Sequence, residues 1–325
     1  MSAILRKTFR TVRHLPRLFS RASEKDDLDS QREQVLSNLW VTYKVTRAME
    51  LDQILMDPEQ LSRLGVLILP LGLTSDPDND LDIPPALNPA SYFVPLTYDY
   101  IHEHPVDLSD PETAERFNNT ADVLKPEFML FRNEPLSSSA VAGELSYWLN
   151  LEMSSSRLNC EDETQKLTWL NKWRETDHSN LEPVFEKDGV VFSTQISWDL
   201  EGLYVCRIRP LPPHVKAILS HGDVDNSEHT LLKAELKVIL ALMYSRWSME
   251  GLLDMVVPVM LVSFLGRKVR CLIAIHDGHQ LRISKTPLYL AENNEIRRHV
   301  VRYMGGGINK KLDTKRLPVV DVVEG

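Results

Sequence analysis

The stretch Met255-Val-Val-Pro-Val-Met-Leu-Val-Ser-Phe-Leu265 decides the fold of the C-terminal half of this chain. It is much shorter than the ~20 apolar residues that a membrane-spanning helix needs, so we interpret it as a buried strand. Two further strand-like runs follow at residues 269–275 and 280–284, and Asp277-Gly278 between them is typical of a tight hairpin turn. Together the three runs predict an antiparallel meander.

The sequence on either side of this meander predicts a long buried helix and a second meander. Residues 227–247 place apolar side chains on most sides of a helical projection, which is typical of a helix that is packed all round. Upstream, turn signals at residues 187–189 and 199–202 predict three antiparallel strands between residues 181 and 209. A final helix is predicted at residues 292–303.

The N-terminal half is predicted to be mainly helical. A capping-box pattern at Ser30 opens a helix with apolar residues at helical spacing, and a second helix starts after Asp57 and ends at Gly65. Residues 66–71 are predicted to be a buried strand, and further helices are predicted at residues 110–125, 138–152 and 161–175. We therefore predict an α+β fold with an α-rich region at residues 24–180, a boundary near Leu181, and an α+β region at residues 181–325.

Composition narrows the class of protein. The 325 residues can bury one large core or two modest ones, and the net charge of −9 argues against nucleic acid as a partner because phosphate would be repelled. Cys160, Cys206 and Cys271 lie far apart, without the spacing of a zinc site or a disulfide framework, so the chain is expected to be intracellular. Cys206 and Cys271 are expected to be buried. Since no apolar run is long enough for a transmembrane segment, we expect a soluble protein.

Residues 1–23 form a basic arm. It holds six Lys and Arg residues and no acid, so residues 24–325 carry a net charge of −15. An arginine-rich, amphipathic, acid-free start is typical of a mitochondrial presequence. Arg17-Leu-Phe19-Ser20 resembles the pattern that the matrix protease cleaves, so Phe19 and Ser20 are the candidate processing residues. The alternative is a basic tail on a cytoplasmic protein.

The most reactive cluster is His221-Gly-Asp223-Val-Asp225-Asn-Ser-Glu228-His229, immediately before the long helix. His221, Asp223, Asp225 and His229 have side chains that can bind a divalent metal, and they are our candidate metal ligands. The alternative is structural, because helix starts collect Asp, Ser and Glu for capping alone.

Two other histidines and one acidic run have simpler interpretations. His276 and His279 flank the Asp277-Gly278 turn and are expected to be exposed at the hairpin tip. The alternating aspartates of residues 76–82 lack the glycine and the final acid of a calcium-binding loop, so this run is expected to be a solvated loop.

The order helix, three strands, helix over residues 227–303 is similar to the restriction-endonuclease-like core. In that core a helical glutamate, strand acids and a lysine hold magnesium. Glu235 and Lys285 match the helical glutamate and the strand lysine, but the three predicted strands contain no Asp or Glu. The resemblance therefore implies at most a degenerate form of that fold, without a metal site for phosphodiester hydrolysis.

A second resemblance covers about the last hundred residues. The segment Val257-Pro258-Val-Met-Leu-Val-Ser263-Phe264-Leu-Gly266, with the following strand and the Asp277-Gly278 hairpin, resembles a C-terminal pattern in proteins of filamentous ascomycete fungi. No activity is assigned to that group. The resemblance implies a fungal source and a fold element, and it supplies no catalytic residue.

The motifs together favour a non-catalytic protein that binds a protein or small-molecule partner. The main alternative is an enzyme of unknown class, possible as a metal-dependent one through His221, Asp223 and His229, and the degenerate nuclease-like fold is a third hypothesis. No cofactor can be named from these residues.

Overall fold

The computed structural model describes residues 22–49, 55–72, 83–123, 136–160, 165–177, 181–182, 185, 192–193, 198–222, 230–249 and 252–318. The basic arm with Phe19 and Ser20 lies outside these residues. Asp223, Asp225 and His229 also lie outside them, whereas His221 is described.

The described residues confirm an α+β fold. The helices are α1 (Ala22–Ala48), α2 (Pro58–Arg63), α3 (Tyr98–Glu103), α4 (Pro111–Val123), α5 (Ser138–Ser154), α6 (Leu167–Leu170), α7 (Lys233–Ser248) and α8 (Asn294–Gly305). The strands are β1 (Leu55–Met56), β2 (Val66–Pro70), β3 (Phe93–Val94), β4 (Trp173–Glu175), β5 (Phe192–Ser193), β6 (Trp198–Cys206), β7 (Val215–His221), β8 (Leu231–Leu232), β9 (Val259–Leu265), β10 (Lys268–His276), β11 (Leu281–Lys285), β12 (Tyr289–Leu290) and β13 (Gly307–Ile308).

A large mixed sheet organises the molecule. Its strand order is β2-β11-β10-β9-β7-β6-β4, with β12 added beside β10 and β5 beside β6. The predicted meander is confirmed as β9, β10 and β11, which pair antiparallel. β7 pairs parallel to β9, and β2 pairs parallel to β11. The sheet thus combines strands from both sides of residue 181, and the boundary there stays a sequence-based prediction.

Helices cover both faces of the sheet. On one face α7 packs against β9, and α1 packs on α7 through Val35, Leu39 and Tyr43. On the other face α5 and α8 cover the residues that point the opposite way. Because α7 is enclosed between α1 and the sheet, its apolar pattern on most sides is explained.

Several local predictions are confirmed. Asp57 caps α2 by accepting a hydrogen bond from the Gln60 amide, and Gly65 follows that helix with a positive φ of 68°. Cys206 and Cys271 are buried in β6 and β10.

Others are wrong for identifiable reasons. The predicted turn at residues 199–202 lies inside β6, where a bulge between Leu200 and Gly202 absorbs the extra residue. Ser30 lies within α1 and does not cap it. The helix predicted at residues 161–175 is reduced to α6 and β4, so Trp169 is 54% exposed while Trp173 is buried. His276 is buried, although His279 is exposed as predicted.

Candidate functional site

Four strands end at the same edge of the sheet. The pairing registers place Pro70 of β2, His221 of β7, Leu265 of β9 and Lys285 of β11 at this edge, which we call the carboxyl edge. α7 follows β7, so its first turn starts beside this edge. In open sheets built from parallel strands and helices, ligands bind outside the carboxyl ends of the strands.

Polar residues occupy the carboxyl edge on the face that α7 covers. Trp198 of β6 lies directly opposite His221, and Ser263 of β9 lies directly opposite Arg270 of β10. Side chains that are directly opposite in an antiparallel pair lie about 5 Å apart at Cβ. Lys285 lies on the same face, one step further along β11. We call Trp198, His221, Glu235, Lys237, Ser263, Arg270 and Lys285 the edge cluster.

A buried ion pair ties α7 to the sheet. The Arg270 guanidinium donates to both carboxylate oxygens of Glu235, with Nε–Oε1 at 2.7 Å and Nη2–Oε2 at 2.5 Å, and both side chains are fully buried. The Glu235 carboxylate also accepts from the Leu232 amide at 2.9 Å, and Arg270 Nη1 donates to the Thr230 carbonyl at 3.0 Å. The pair therefore satisfies the first turn of α7 and fixes its position over β10.

His221 offers an unpaired nitrogen. Its Nδ1 lies 2.8 Å from the Gly222 carbonyl oxygen, and since a carbonyl only accepts, Nδ1 carries the hydrogen. Burial lowers the pKa of His221 and the Arg270 charge lowers it further, which favours the neutral ring. The lone pair of Nε2 then has no hydrogen-bond partner within the described part of the chain, although the side chain is only 2% exposed.

Two other buried groups near His221 also lack a protein partner. The rings of Trp198 and His221 lie 6.3 Å apart, and neither Trp198 Nε1 nor Ser263 Oγ has a hydrogen-bond partner among the residues described. Unpaired buried polar atoms are uncommon, and each costs about 1–3 kcal/mol unless water or a ligand pairs with it. Three of them on one face therefore indicate a bound molecule.

The edge cluster is positively charged, in contrast to the whole chain. Lys237 Nζ lies 4.9 Å from the centre of the Trp198 ring, and burial lowers the pKa of Lys285 while the nearby Arg270 charge lowers it further. Against the cations Lys237, Arg270 and Lys285 stands the single carboxylate of Glu235. Such a balance favours a negatively charged ligand.

The predicted metal ligands are only partly placed. His221 lies at the carboxyl edge, and Asp223, Asp225 and His229 belong to the segment that leaves this edge after Gly222, outside the described residues. Within the described ranges no group of three or more His, Cys, Asp or Glu side chains could hold a metal ion. The metal set stays a prediction.

The nuclease-like comparison gains two observations. Glu235 and Lys285 lie near each other, as the resemblance implied, because the charges of Arg270 and Glu235 both act on Lys285. Glu235, however, is bound by an arginine that stands on β10. The parallel strand beside β11 is β2, which comes from upstream in the chain.

A second polar cluster surrounds Cys160. Its Sγ lies 3.6 Å from His104 Nδ1, and Gln165 donates to the hydroxyl of the neighbouring Tyr100 at 3.0 Å. His104 Nδ1 also lies 3.2 Å from the Leu158 carbonyl oxygen, which competes for its hydrogen. The thiol is partly accessible, and it is separate from the edge cluster.

Sequence reasoning singled out His221, Glu235 and Lys285 but missed Arg270, Trp198 and Ser263. The detectable signal for Arg270 was a charged residue within an apolar strand, since such a charge is buried only when it is paired.

The comparisons with known proteins leave the family open. The chain matches none of the protein-family models, and neither the curated proteins nor the solved structures contain a significant match. Among the helices of the described residues, none is both long enough and apolar enough to cross a membrane.

Proposed function

We propose that the protein is a non-catalytic binding protein whose ligand site is the edge cluster. The observation that carries this proposal is the group of three buried polar atoms without a protein partner, His221 Nε2, Trp198 Nε1 and Ser263 Oγ. They supply one acceptor, one donor and one hydroxyl that can do both. The side chains are at most 3% exposed, so a molecule that contacts them is enclosed, and this favours a small ligand over a protein partner.

The state of Glu235 supports binding over catalysis. An acid or base catalyst needs a group that can exchange a proton with the substrate. The Glu235 carboxylate already accepts three hydrogen bonds, two from Arg270 and one from the Leu232 amide. Its role at the edge cluster is therefore to hold Arg270 and α7 in place.

Native mass spectrometry of the purified full-length protein tests this proposal. We expect a retained small molecule on the wild-type chain and its loss in His221→Phe. His276→Phe is the matched control, because His276 is also buried and also lies beside a tryptophan, Trp247, with ring centres 6.4 Å apart. A crystal structure in which only an ordered water pairs with His221 Nε2 would contradict the proposal.

A metal-dependent enzyme is the second candidate. A neutral histidine whose Nδ1–H donates to a backbone carbonyl presents Nε2 in the way that metal-binding histidines do. Asp223, Asp225 and His229 would supply the further ligands. Stoichiometric zinc or manganese in the purified protein, lost in both His221→Ala and His229→Ala, would favour this candidate over the first.

We also propose that residues 1–23 direct the chain to mitochondria, on their charge pattern alone. A reporter fused to residues 1–30 should localise to mitochondria, with cleavage next to Phe19 and Ser20. A diffuse cytosolic signal would instead identify the arm as a basic tail.

A further inference from the structure

The hydrogen-bonding pattern of the edge cluster specifies its ligand more closely, and this step rests on the proposed function. His221 Nε2 is an acceptor, so it requires a ligand atom that carries a hydrogen. Trp198 Nε1 is a donor, so it requires a ligand acceptor. Ser263 Oγ fits either kind of atom.

The charge of the cluster determines the sign of the ligand. Lys237, Arg270 and Lys285 outnumber the single carboxylate of Glu235, and all four side chains are buried or half-buried. A cation would be repelled by the excess positive charge in a region where water screens little. An anion would be attracted to it.

The amide groups at the start of α7 are not the anion site. Glu235 accepts from the Leu232 amide, so the helix supplies its own carboxylate at this end. The ligand must instead be held by the side chains at the ends of β6, β7 and β9.

We propose that the edge cluster binds a small oxyanion that also carries a hydroxyl, of the hydrogen phosphate or hydroxycarboxylate class. The hydroxyl of the ligand donates to His221 Nε2, and its anionic oxygens accept from Trp198 Nε1 and Ser263 Oγ. The lysines supply the balancing charge. A plain oxyanion without a hydroxyl would leave the His221 lone pair unpaired.

Two matched pairs of anions test the requirement for a hydroxyl. At neutral pH hydrogen phosphate carries a hydroxyl and sulfate, with the same tetrahedral shape, carries none. Glycolate and acetate form the corresponding pair of carboxylates. Calorimetric titration of the full-length protein should show that one hydroxylated anion binds at least about tenfold tighter than its hydroxyl-free counterpart, and which pair shows the difference identifies the ligand class.

Three variants assign the preference to named atoms. His221→Phe should abolish the preference for the hydroxylated anion, and His276→Phe should leave it unchanged. Trp198→Phe should weaken both members of a pair while the preference between them remains, so it tests the site even if His221→Phe does not fold. Circular dichroism establishes which variants are folded.

Several outcomes would overturn the inference. Equal affinity of the wild-type protein for both members of each pair would show that the hydroxyl is not recognised. A preference that survives in folded His221→Phe would place the acceptor elsewhere. If none of the four anions binds while native mass spectrometry still detects a molecule that depends on His221, the oxyanion inference fails and the binding proposal stands. An ordered water alone at His221 Nε2 would refute both.

Discussion

Replacing Glu235 with glutamine should destabilise the protein by about 4 kcal/mol. The change leaves the fully buried Arg270 guanidinium without its counter-charge, and breaking one side of a buried ion pair costs about 3–5 kcal/mol. Glutamine can keep one of the hydrogen bonds from Arg270, so the lost interaction is mainly the charge. Urea unfolding followed by fluorescence measures this loss directly as a change in the midpoint.

The double variant Glu235→Leu/Arg270→Met separates the cost of an unpaired charge from the net contribution of the pair. Apolar residues of similar volume often replace a buried ion pair at no net cost. Here the Leu232 amide and the Thr230 carbonyl would each lose a partner, at about 1–3 kcal/mol for every group that stays buried and unpaired. We therefore expect the double variant to lie within about 2–3 kcal/mol of the wild type, above Glu235→Gln in stability.

An exposed pair provides the matched control. Arg267 and Glu292 lie 2.8 Å apart with side chains 36% and 41% exposed. Glu292→Gln should change the free energy of unfolding by no more than about 1 kcal/mol, as for other surface pairs. A loss of less than about 1 kcal/mol in Glu235→Gln would refute the reasoning, because a buried guanidinium without its carboxylate cannot be that cheap.

Three further predictions concern other buried groups. Lys216→Met should lower the urea midpoint by an amount equivalent to about 2–4 kcal/mol, since Lys216 donates to the carbonyls of residues 303, 304 and 306 at the end of α8. His214→Phe should reduce the loss of stability in acid: burial, and then the Lys216 charge, lower the pKa of His214 to about 3, so the unfolded chain takes up a proton below about pH 6.5 that the folded chain refuses, and stability falls with pH by up to about 1.4 kcal/mol per unit. An aromatic disulfide reagent should label Cys160 first, because burial raises the pKa of the Cys271 thiol to about 12.

Each of these predictions has a control and a contradicting result. Lys268→Met, at a half-buried position on β10, should leave the urea midpoint nearly unchanged, and an equal effect at Lys216 would contradict the buried cap. Phe93→Leu removes packing against His214 without removing a titrating group, so its acid slope should match the wild type; a His214→Phe slope that also matches would sink the linkage argument. Rapid labelling that persists in Cys160→Ser would show that a buried thiol reacts.

Strands that are apolar throughout were predictable from the sequence, whereas the sheet they form was not. β9, β10 and β11 follow directly from short apolar runs with a hairpin signal. β7 was missed because Lys216, Ser220 and His221 make it resemble a polar segment, although all of its residues are buried. The parallel pairing of β2 with β11 joins residues about 215 positions apart, and local periodicity contains no information on such pairing.

The edge cluster was predictable residue by residue but not as a site. His221 was found because reactive side chains gather around it in the sequence, and Glu235 because of its helical position. Arg270 and Trp198 are brought to them by pairing between strands that are distant in sequence. Since the register between strands decides which side chains face each other, the site could be assembled only from the fold.

The two faces of the sheet use buried positive charge differently. On the α8 face, Lys216 is fully buried and its ammonium donates to three carbonyls, so all three of its hydrogens are used within the protein. On the α7 face, Arg270 is satisfied by Glu235 and Thr230, yet His221 Nε2 beside it has no partner in the described part of the chain. A sheet that served stability alone would gain about 1–3 kcal/mol from an apolar residue at His221. The unpaired nitrogen is therefore best explained by a bound molecule that returns this energy, and the rigid Glu235–Arg270 pair explains how the site keeps its geometry without that molecule.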